Sequence, residues 1–278
     1  MSSYSHETAP TRFVEAEGSR FAYRRFGKTG GPPLLFLQYF NANMDDWDPF
    51  VTNGLALDRD VILFDNAGVA SSGGDTPSTV VEMARHVVAF CHALGLKEID
   101  AFGFSLGGMI VQQLAYDHPE MIRRIILLGT GPRGGEGMTF TELSAEEQAD
   151  PVGFLLGAFF APTETSQTAG KAFLERLQWR RDDRDLPVSK KAAEGQLNAI
   201  REWGTIPSSN RYAMLEKIEQ KTLIIHGNKD IVVQPINALI LAERLPDAQL
   251  IVYPDASHGA QYQHASLFLR QANLFLNT

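Results

Sequence analysis

Short runs of consecutive apolar residues alternate along this chain with stretches that keep helical spacing. Runs without polar alternation are typical of strands buried on both faces of a parallel sheet. We predict such strands at residues 34–37, 61–64, 99–104, 124–128, 222–225 and 250–253. Between these strands, apolar positions three or four residues apart predict helices. One covers residues 45–57, and another begins with Ser78 as its N-cap and ends at Gly95.

The N-terminal residues 13–26 follow a different pattern, a loose alternation of apolar and polar positions. This alternation predicts an antiparallel hairpin with Gly18 and Ser19 at its turn. Strands that then alternate with helices predict an α/β fold, a mostly parallel, doubly wound sheet with helices on both faces. Ligands of such sheets bind beyond the carboxyl ends of the strands, so we expect the chemistry at that edge.

Residues 133–210 contain no run that predicts a buried strand, and they include Phe154, Phe159, Phe160 and Trp203. We interpret this stretch as a helical lid inserted into the fold and call it the insertion segment. The chain is then predicted to be a single domain over 1–278, with its core formed by 1–132 and 211–278.

Composition excludes several classes of function. A net charge of −8 argues against a nucleic-acid partner, which requires basic patches. The N-terminus lacks the apolar region of a secretory signal, and no apolar stretch approaches the roughly 18 residues of a membrane span. With Cys91 as the single cysteine, we expect a cytoplasmic protein without a membrane partner; the sequence leaves homo-oligomerisation open.

No cofactor or metal is predicted. The histidines His86 and His92 share a predicted helix at a spacing that does not form a ligand pair, and His264 follows His258 by six residues. The glycine-rich stretch 131–137 lacks the Lys-Ser/Thr of a phosphate-binding loop.

The candidate nucleophile is Ser105, in the sequence Gly103-Phe104-Ser105-Leu106-Gly107. This G-x-S-x-G motif lies between a predicted strand and a predicted helix, which is the context that a nucleophile elbow requires. The glycines permit a sharp turn that exposes the serine oxygen, and the following helix N-terminus supplies unpaired N–H groups. An ordinary strand-to-helix turn is the structural alternative.

A serine hydroxyl needs a base, and the base needs an acid that orients it. Asp230 and His258 follow Ser105 in the expected chain order, each just beyond the carboxyl end of a predicted strand. Singly, Asp230 could cap a turn and His258 could be a structural loop residue. Asp255, three residues before His258, is a rival acid. Asp230 is preferred because it follows a different strand and can approach the imidazole from beside it, whereas Asp255 is expected to shape its own turn.

Together these residues resemble the α/β-hydrolase family, in its haloperoxidase-like and esterase-like branches, over nearly the whole chain. The resemblance implies Ser105 as nucleophile, Asp230 as acid and His258 as base. It also implies an oxyanion hole formed by the N–H of Leu106 and an N–H after the first buried strand, here that of Phe40. Relatives usually have His-Gly where this chain has Gln38-Tyr39, so Tyr39 would have to replace a glycine, and its ring could narrow the pocket.

The predicted function is hydrolysis of a small to medium hydrophobic ester or lactone through an acyl-enzyme. Acyl transfer, perhydrolysis, and amide or C–C cleavage could use the same triad, and a hydrolase-like protein that only binds a small ligand is an alternative of another class. Candidate substrate-binding residues are Tyr39, Met109, Phe159, Phe160 and Trp203.

Overall fold

The computed structural model describes residues 4–138, 140, 144, 146 and 149–278. Within these residues, eight strands form one sheet. The strands are β1 (Arg12–Ala16), β2 (Ser19–Gly27), β3 (Leu34–Leu37), β4 (Asp60–Phe64), β5 (Ile99–Phe104), β6 (Ile122–Leu128), β7 (Lys221–Gly227) and β8 (Ala248–Tyr253).

The sheet order is β1-β2-β4-β3-β5-β6-β7-β8. The hairpin of β1 and β2 pairs antiparallel at one edge, and β3 to β8 run parallel. The predicted fold class is thereby confirmed. The hairpin turn lies one residue earlier than predicted, at Glu17 and Gly18, because both residues have positive φ and β2 already begins at Ser19.

Nine α-helices connect and follow the strands in the described part of the chain. They are α1 (Pro49–Ala56), α2 (Val80–Ala93), α3 (Leu106–Asp117), α4 (Pro151–Phe159), α5 (Glu164–Arg176), α6 (Lys190–Gly204), α7 (Ile236–Arg244), α8 (Ala260–Gln263) and α9 (Ala265–Asn277).

Two helix starts differ from the prediction. The helix predicted over 45–57 is divided into a 3₁₀ turn at Met44–Asp46 and α1, because Pro49 has no N–H and the Asp48 side chain caps Phe50 N instead. The N-cap of α2 is Thr79 and not Ser78, since the Thr79 hydroxyl accepts from Glu82 N.

Two apolar clusters cover the two faces of the sheet. Along β3, Leu34 and Phe36 pack into one cluster with α1 and α9, whereas Leu35 and Leu37 pack into the other with α2 and α3. In the insertion segment, α5 contacts α8 on one side and α6 contacts α2 and α3 on the other. The segment therefore reaches both layers of helices.

Across the described residues, no helix combines the length and apolar character that crossing a bilayer requires. The cytoplasmic location and the limits of the lid stay predictions.

Candidate active site

Ser105 occupies the turn between β5 and α3 in a conformation that side chains rarely adopt, with φ 52° and ψ −115°. The glycines around it are required by close backbone approach. A Cβ on Gly107 would lie 1.8 Å from Leu37 O, and one on Gly103 would lie 2.5 Å from Gly107 O. Ser105 is the N-cap residue of α3, yet its side chain makes no capping hydrogen bond, so the hydroxyl is not used to stabilise the helix.

The loop after β3 lies beside this turn because β3 pairs with β5. The Gln38 side chain bridges the loop: its Oε1 accepts from Tyr39 N at 3.0 Å, and its Nε2 donates to Asn43 O. The left-handed backbone conformation falls on Asn41, with φ 57°, and Tyr39 has no positive φ. Tyr39 therefore replaces the usual glycine without backbone strain. The left-handed conformation is adopted by Asn41 instead, and asparagine tolerates it better than most residues.

Two backbone N–H groups near Ser105 remain available to a ligand. Leu106 is the first residue of α3, where an N–H has no partner within the helix. Phe40 follows Tyr39, whose own N–H is already used by Gln38. Within the described part of the chain, neither Phe40 N nor Leu106 N donates a hydrogen bond. The geometry thus offers the donor pair that the resemblance implies.

The side chains of Asp230 and His258 are in direct contact. His258 Nδ1 lies 2.8 Å from Asp230 Oδ2, and the other carboxylate oxygen accepts from Val232 N at 2.8 Å and Val233 N at 2.9 Å. Asp255, the rival acid, instead accepts from Thr163 and Lys229. The structure therefore brings the imidazole to Asp230.

A second imidazole touches the same carboxylate. His226 Nε2 lies 3.1 Å from Asp230 Oδ2 and 2.8 Å from Val233 O, and its side chain is fully buried. Burial raises the pKa of Asp230, but the charge of His258 and the hydrogen bonds of His226 and His258 outweigh burial and hold that pKa below its ordinary value. Asp230 is therefore ionised and fixed in orientation.

The insertion segment holds the loop that carries His258. His258 N donates to Ala158 O at 3.3 Å and Gly259 N donates to Phe159 O at 2.9 Å, both at the end of α4. Gly129 leaves room for the imidazole, because a Cβ there would lie 3.1 Å from His258 Nδ1. The end of α4 thus helps to position the predicted base.

Ser105 and His258 open into one cavity of about 480 Å³ at the carboxyl edge of the sheet. Tyr39 and Phe159, two of the candidate substrate-binding residues, line the same cavity, and so does Phe40. Three predicted pocket residues do not. Met109 and Trp203 are fully buried in the core, with Trp203 Nε1 donating to Gly131 O, and Phe160 packs against Phe173.

Most of the remaining cavity wall is formed by residues that the sequence pattern did not identify as a binding site. The apolar part comes mainly from the insertion segment, and the polar part from three side chains, Asn41, Asp46 and Gln178. The apolar residues that it did not identify include Phe154, Leu155, Ala158, Leu174, Leu177 and Val232. The spacing of four residues from His226 to Asp230 is compatible with their contact. It does not predict the contact by itself, because the contact depends on the turn that follows β7.

No three His, Cys, Asp or Glu side chains of the described residues are grouped so as to hold a metal ion. The arrangement can instead perform nucleophilic catalysis: a serine on a strained turn, an imidazole in the same cavity, a buried carboxylate on that imidazole and two free N–H donors.

The chain is similar to known proteins over most of its length. A family model described as an alpha/beta hydrolase fold matches residues 32–265. An alpha/beta hydrolase fold protein from Chitinophaga pinensis is 40% identical with a TM-score of 0.94, covering 99% of this chain and 100% of its own. Est816, described as an N-acyl homoserine lactone degrading enzyme, is 28% identical with a TM-score of 0.72, covering 95% and 100%. A 2-hydroxy-6-oxo-6-phenylhexa-2,4-dienoate hydrolase from Burkholderia cepacia is 30% identical over 82% of this chain and 79% of its own.

Proposed function

The chain belongs to the α/β-hydrolase fold family, and on that premise we propose that it is a serine hydrolase of small to medium, uncharged, hydrophobic carboxylic esters or lactones. The observation that carries the proposal is the shared cavity of Ser105 and His258, together with the 2.8 Å contact from His258 Nδ1 to Asp230. A protein that only binds a ligand has no need of this arrangement.

In the proposed reaction, His258 accepts the Ser105 proton as Ser105 Oγ attacks the acyl carbonyl carbon. The carbonyl oxygen becomes an oxyanion that receives hydrogen bonds from the N–H groups of Phe40 and Leu106, worth about 3 kcal/mol of barrier per donor. The C–O bond to the alcohol then breaks, and the alcohol leaves with the proton from His258.

Water next attacks the acyl-enzyme with His258 as its base, which releases the acid and restores Ser105. Throughout, Asp230 keeps the imidazole in the tautomer whose Nε2 faces the serine and stabilises its cation. His226 is proposed to help orient Asp230, since both imidazoles contact the same carboxylate oxygen, Oδ2.

The charge of the cavity supports an uncharged substrate. None of the described residues that line the cavity is Lys or Arg. There is also no Lys or Arg in the sequence outside the described ranges, at residues 1–3, 139, 141–143, 145, 147 and 148. A dienoate carries a carboxylate, which would meet no cationic partner on this wall. Resemblance to Est816 favours the lactone or ester, whereas resemblance to the dienoate hydrolase keeps C–C cleavage as the second candidate.

The test is release of p-nitrophenolate from esters of graded chain length, by the wild-type protein and by Ser105→Ala. We expect turnover with an optimum chain length, and a loss of up to about 10⁶-fold in kcat on removing the nucleophile. Ser266→Ala, an exposed serine on α9, is the matched control and should keep full activity.

An undiminished rate in Ser105→Ala would refute the serine mechanism. Absence of turnover, with no labelling of Ser105 by a fluorophosphonate, would favour the ligand-binding alternative. Adding alcohols or peroxide measures how the acyl-enzyme divides between hydrolysis, acyl transfer and perhydrolysis.

A further inference from the structure

One ionisable side chain in the cavity has no part in the proposed reaction. Asp46 ends the 3₁₀ turn Met44–Asp46 and lines the same cavity as Ser105. Its Oδ2 accepts from Asn43 N at 2.8 Å, which completes a capping box. Among the described residues, no hydrogen-bond donor reaches its Oδ1. One oxygen of this carboxyl group is therefore left for a ligand.

The surroundings of Asp46 do not neutralise it. The Tyr39 hydroxyl donates to the backbone oxygen of Asp46 and not to its carboxyl group. Asp45 and Asp185 are nearby like charges. Arg184 is the nearby cation, but its Nη1 donates to Leu177 O and Arg180 O, both at 2.9 Å.

Burial, followed by the like charges, raises the pKa of Asp46 to about 6, although the hydrogen bond from Asn43 N and the charge of Arg184 oppose this. At neutral pH the group is still mostly ionised. It is then an anion in a cavity whose other described polar side chains supply no fixed positive charge; these are Tyr39, Asn41, Gln178, Ser105 and His258.

Capping alone does not explain a carboxylate at this position. The cap uses a single oxygen that accepts one N–H, and an asparagine would provide the same acceptor without the charge. The remaining Oδ1 is a charged acceptor, which binds hydroxyl or N–H donors strongly and repels anions.

We propose that Asp46 determines substrate specificity: its free oxygen selects uncharged acyl substrates that carry a hydroxyl or N–H donor on the acyl side, and it rejects acyl groups that end in a carboxylate. The inference rests on the proposed serine hydrolase function and names the acyl group that this same cavity accepts. Asp46 contacts the acyl group and has no role in the bond-breaking step.

The test compares p-nitrophenyl esters of equal chain length in wild type and Asp46→Asn. They are the hexanoate, the 3-hydroxyhexanoate, the 6-hydroxyhexanoate and the adipate monoester, which ends in a carboxylate. In the wild type we expect kcat/KM for one hydroxyhexanoate to exceed that for the hexanoate by about 10-fold, as a hydrogen bond to a charged acceptor would give. We expect the adipate monoester to be the poorest substrate.

In Asp46→Asn the ratio of kcat/KM for adipate over hexanoate should rise by at least about 10-fold, and the preference for the hydroxyl should fall. In the wild type the same ratio should rise as the pH falls below about 6, because Asp46 gains a proton there. In the variant the ratio should stay constant down to about pH 5.5, since the carboxylate of the substrate itself is still ionised there. Comparing two substrates at one pH cancels every pH effect that the two substrates share.

Asp182→Asn is the matched control, since it removes one exposed negative charge from the loop after α5. It should leave every ratio unchanged; an equal rise in this variant would mean that net charge and not Asp46 causes the effect. Equal ratios in wild type and Asp46→Asn would overturn the proposal.

A binding measurement separates this proposal from the catalytic one. Calorimetry would measure binding of uncleaved amides to Ser105→Ala and to the double variant Ser105→Ala/Asp46→Asn. The ligands are the amides of hexanoic and 6-hydroxyhexanoic acid and the monoamide of adipic acid, which keeps one carboxylate. Loss of discrimination on removing the Asp46 charge supports the inference even where no ester is hydrolysed; unchanged discrimination refutes it even where esters turn over.

Discussion

A carboxyl group that is buried without a cationic partner makes the folded state prefer its protonated form. Asp46 is in this situation, because its pKa in the folded protein, about 6, lies above the ordinary 3.8. The folded state therefore binds the proton more tightly than the unfolded chain. Below pH 3.8 both states are protonated and Asp46 costs nothing, whereas above pH 6 its charge destabilises the fold. The effect of Asp230 on stability has the opposite sign. Because its pKa is lowered in the folded state, the ionised carboxylate stabilises the fold at neutral pH, and this contribution is lost in acid.

Asp46→Asn is thus expected to raise the free energy of unfolding at pH 8, by up to about 3 kcal/mol, and to leave it unchanged near pH 3. The asparagine keeps an acceptor for Asn43 N, so the cap is retained. Urea unfolding of both proteins at the two pH values measures the difference. A gain of the same size at pH 3 would show that the charge is not its cause.

At the level of elements, a helix of the insertion segment supports the loop that carries the proposed oxyanion donor. Gln196 on α6 is buried, and its Oε1 accepts from Asn41 N at 2.8 Å. Asn41 has the positive φ that turns this loop, directly after Phe40. The insertion segment therefore shapes the site as well as forming part of the cavity wall.

Gln196→Ala should lower kcat by about 10-fold with little change in KM, because a displaced Phe40 N–H would weaken binding of the oxyanion more than that of the ground state. Steady-state kinetics on the best p-nitrophenyl ester measures the effect. Asn198→Ala, at an exposed position of the same helix, is the control. A fall in both variants would point to a general loss of α6, and an unchanged kcat in Gln196→Ala would argue against Phe40 as a donor.

On the scale of the whole molecule, a buried charge cluster links the sheet to the insertion segment. Asp45 forms an ion pair with Arg24 of β2, and its other oxygen accepts from Asp185 N, in the loop between α5 and α6, at 2.6 Å. Arg180, from the same loop, lies 3.7 Å from the Asp45 carboxylate. Arg24, Asp45 and Arg180 are all at least 97% buried, so the cluster joins distant parts of the chain inside the protein.

Asp45→Ala should destabilise the protein by about 3–5 kcal/mol, because it leaves the Arg24 guanidinium buried without its carboxylate. Denaturant unfolding would measure this loss. Asp58→Ala removes an ion pair to Lys28 in which both side chains are at least half exposed, and it should change the stability by less than about 1 kcal/mol. Equal losses in the two variants would contradict the structural role of the cluster.

Local patterns were sufficient to predict most of the elements. Wholly apolar runs such as Leu34–Leu37 and Ile99–Phe104 are strands with the predicted limits. The G-x-S-x-G motif also predicted the sharp backbone turn at Ser105. A side chain at Gly103 would collide with Gly107, and one at Gly107 would collide with Leu37. Where local prediction failed, as at Asp48 and Pro49, a single cap and a missing N–H decided where the helix begins.

The sequence alone determined the strands, the α/β class and the order Ser105, Asp230, His258, because these follow from periodicity and from residue types close together in the chain. Only the tertiary structure decided what each apolar side chain faces. Periodicity marks a buried side of a helix, but Phe159 meets a cavity and Trp203 meets the core. It also decided that Gln196 contacts Asn41, 155 residues away, and that His226 and His258 share one carboxylate. Such contacts depend on the order of strands in the sheet and on where the insertion segment folds back, which no local pattern encodes.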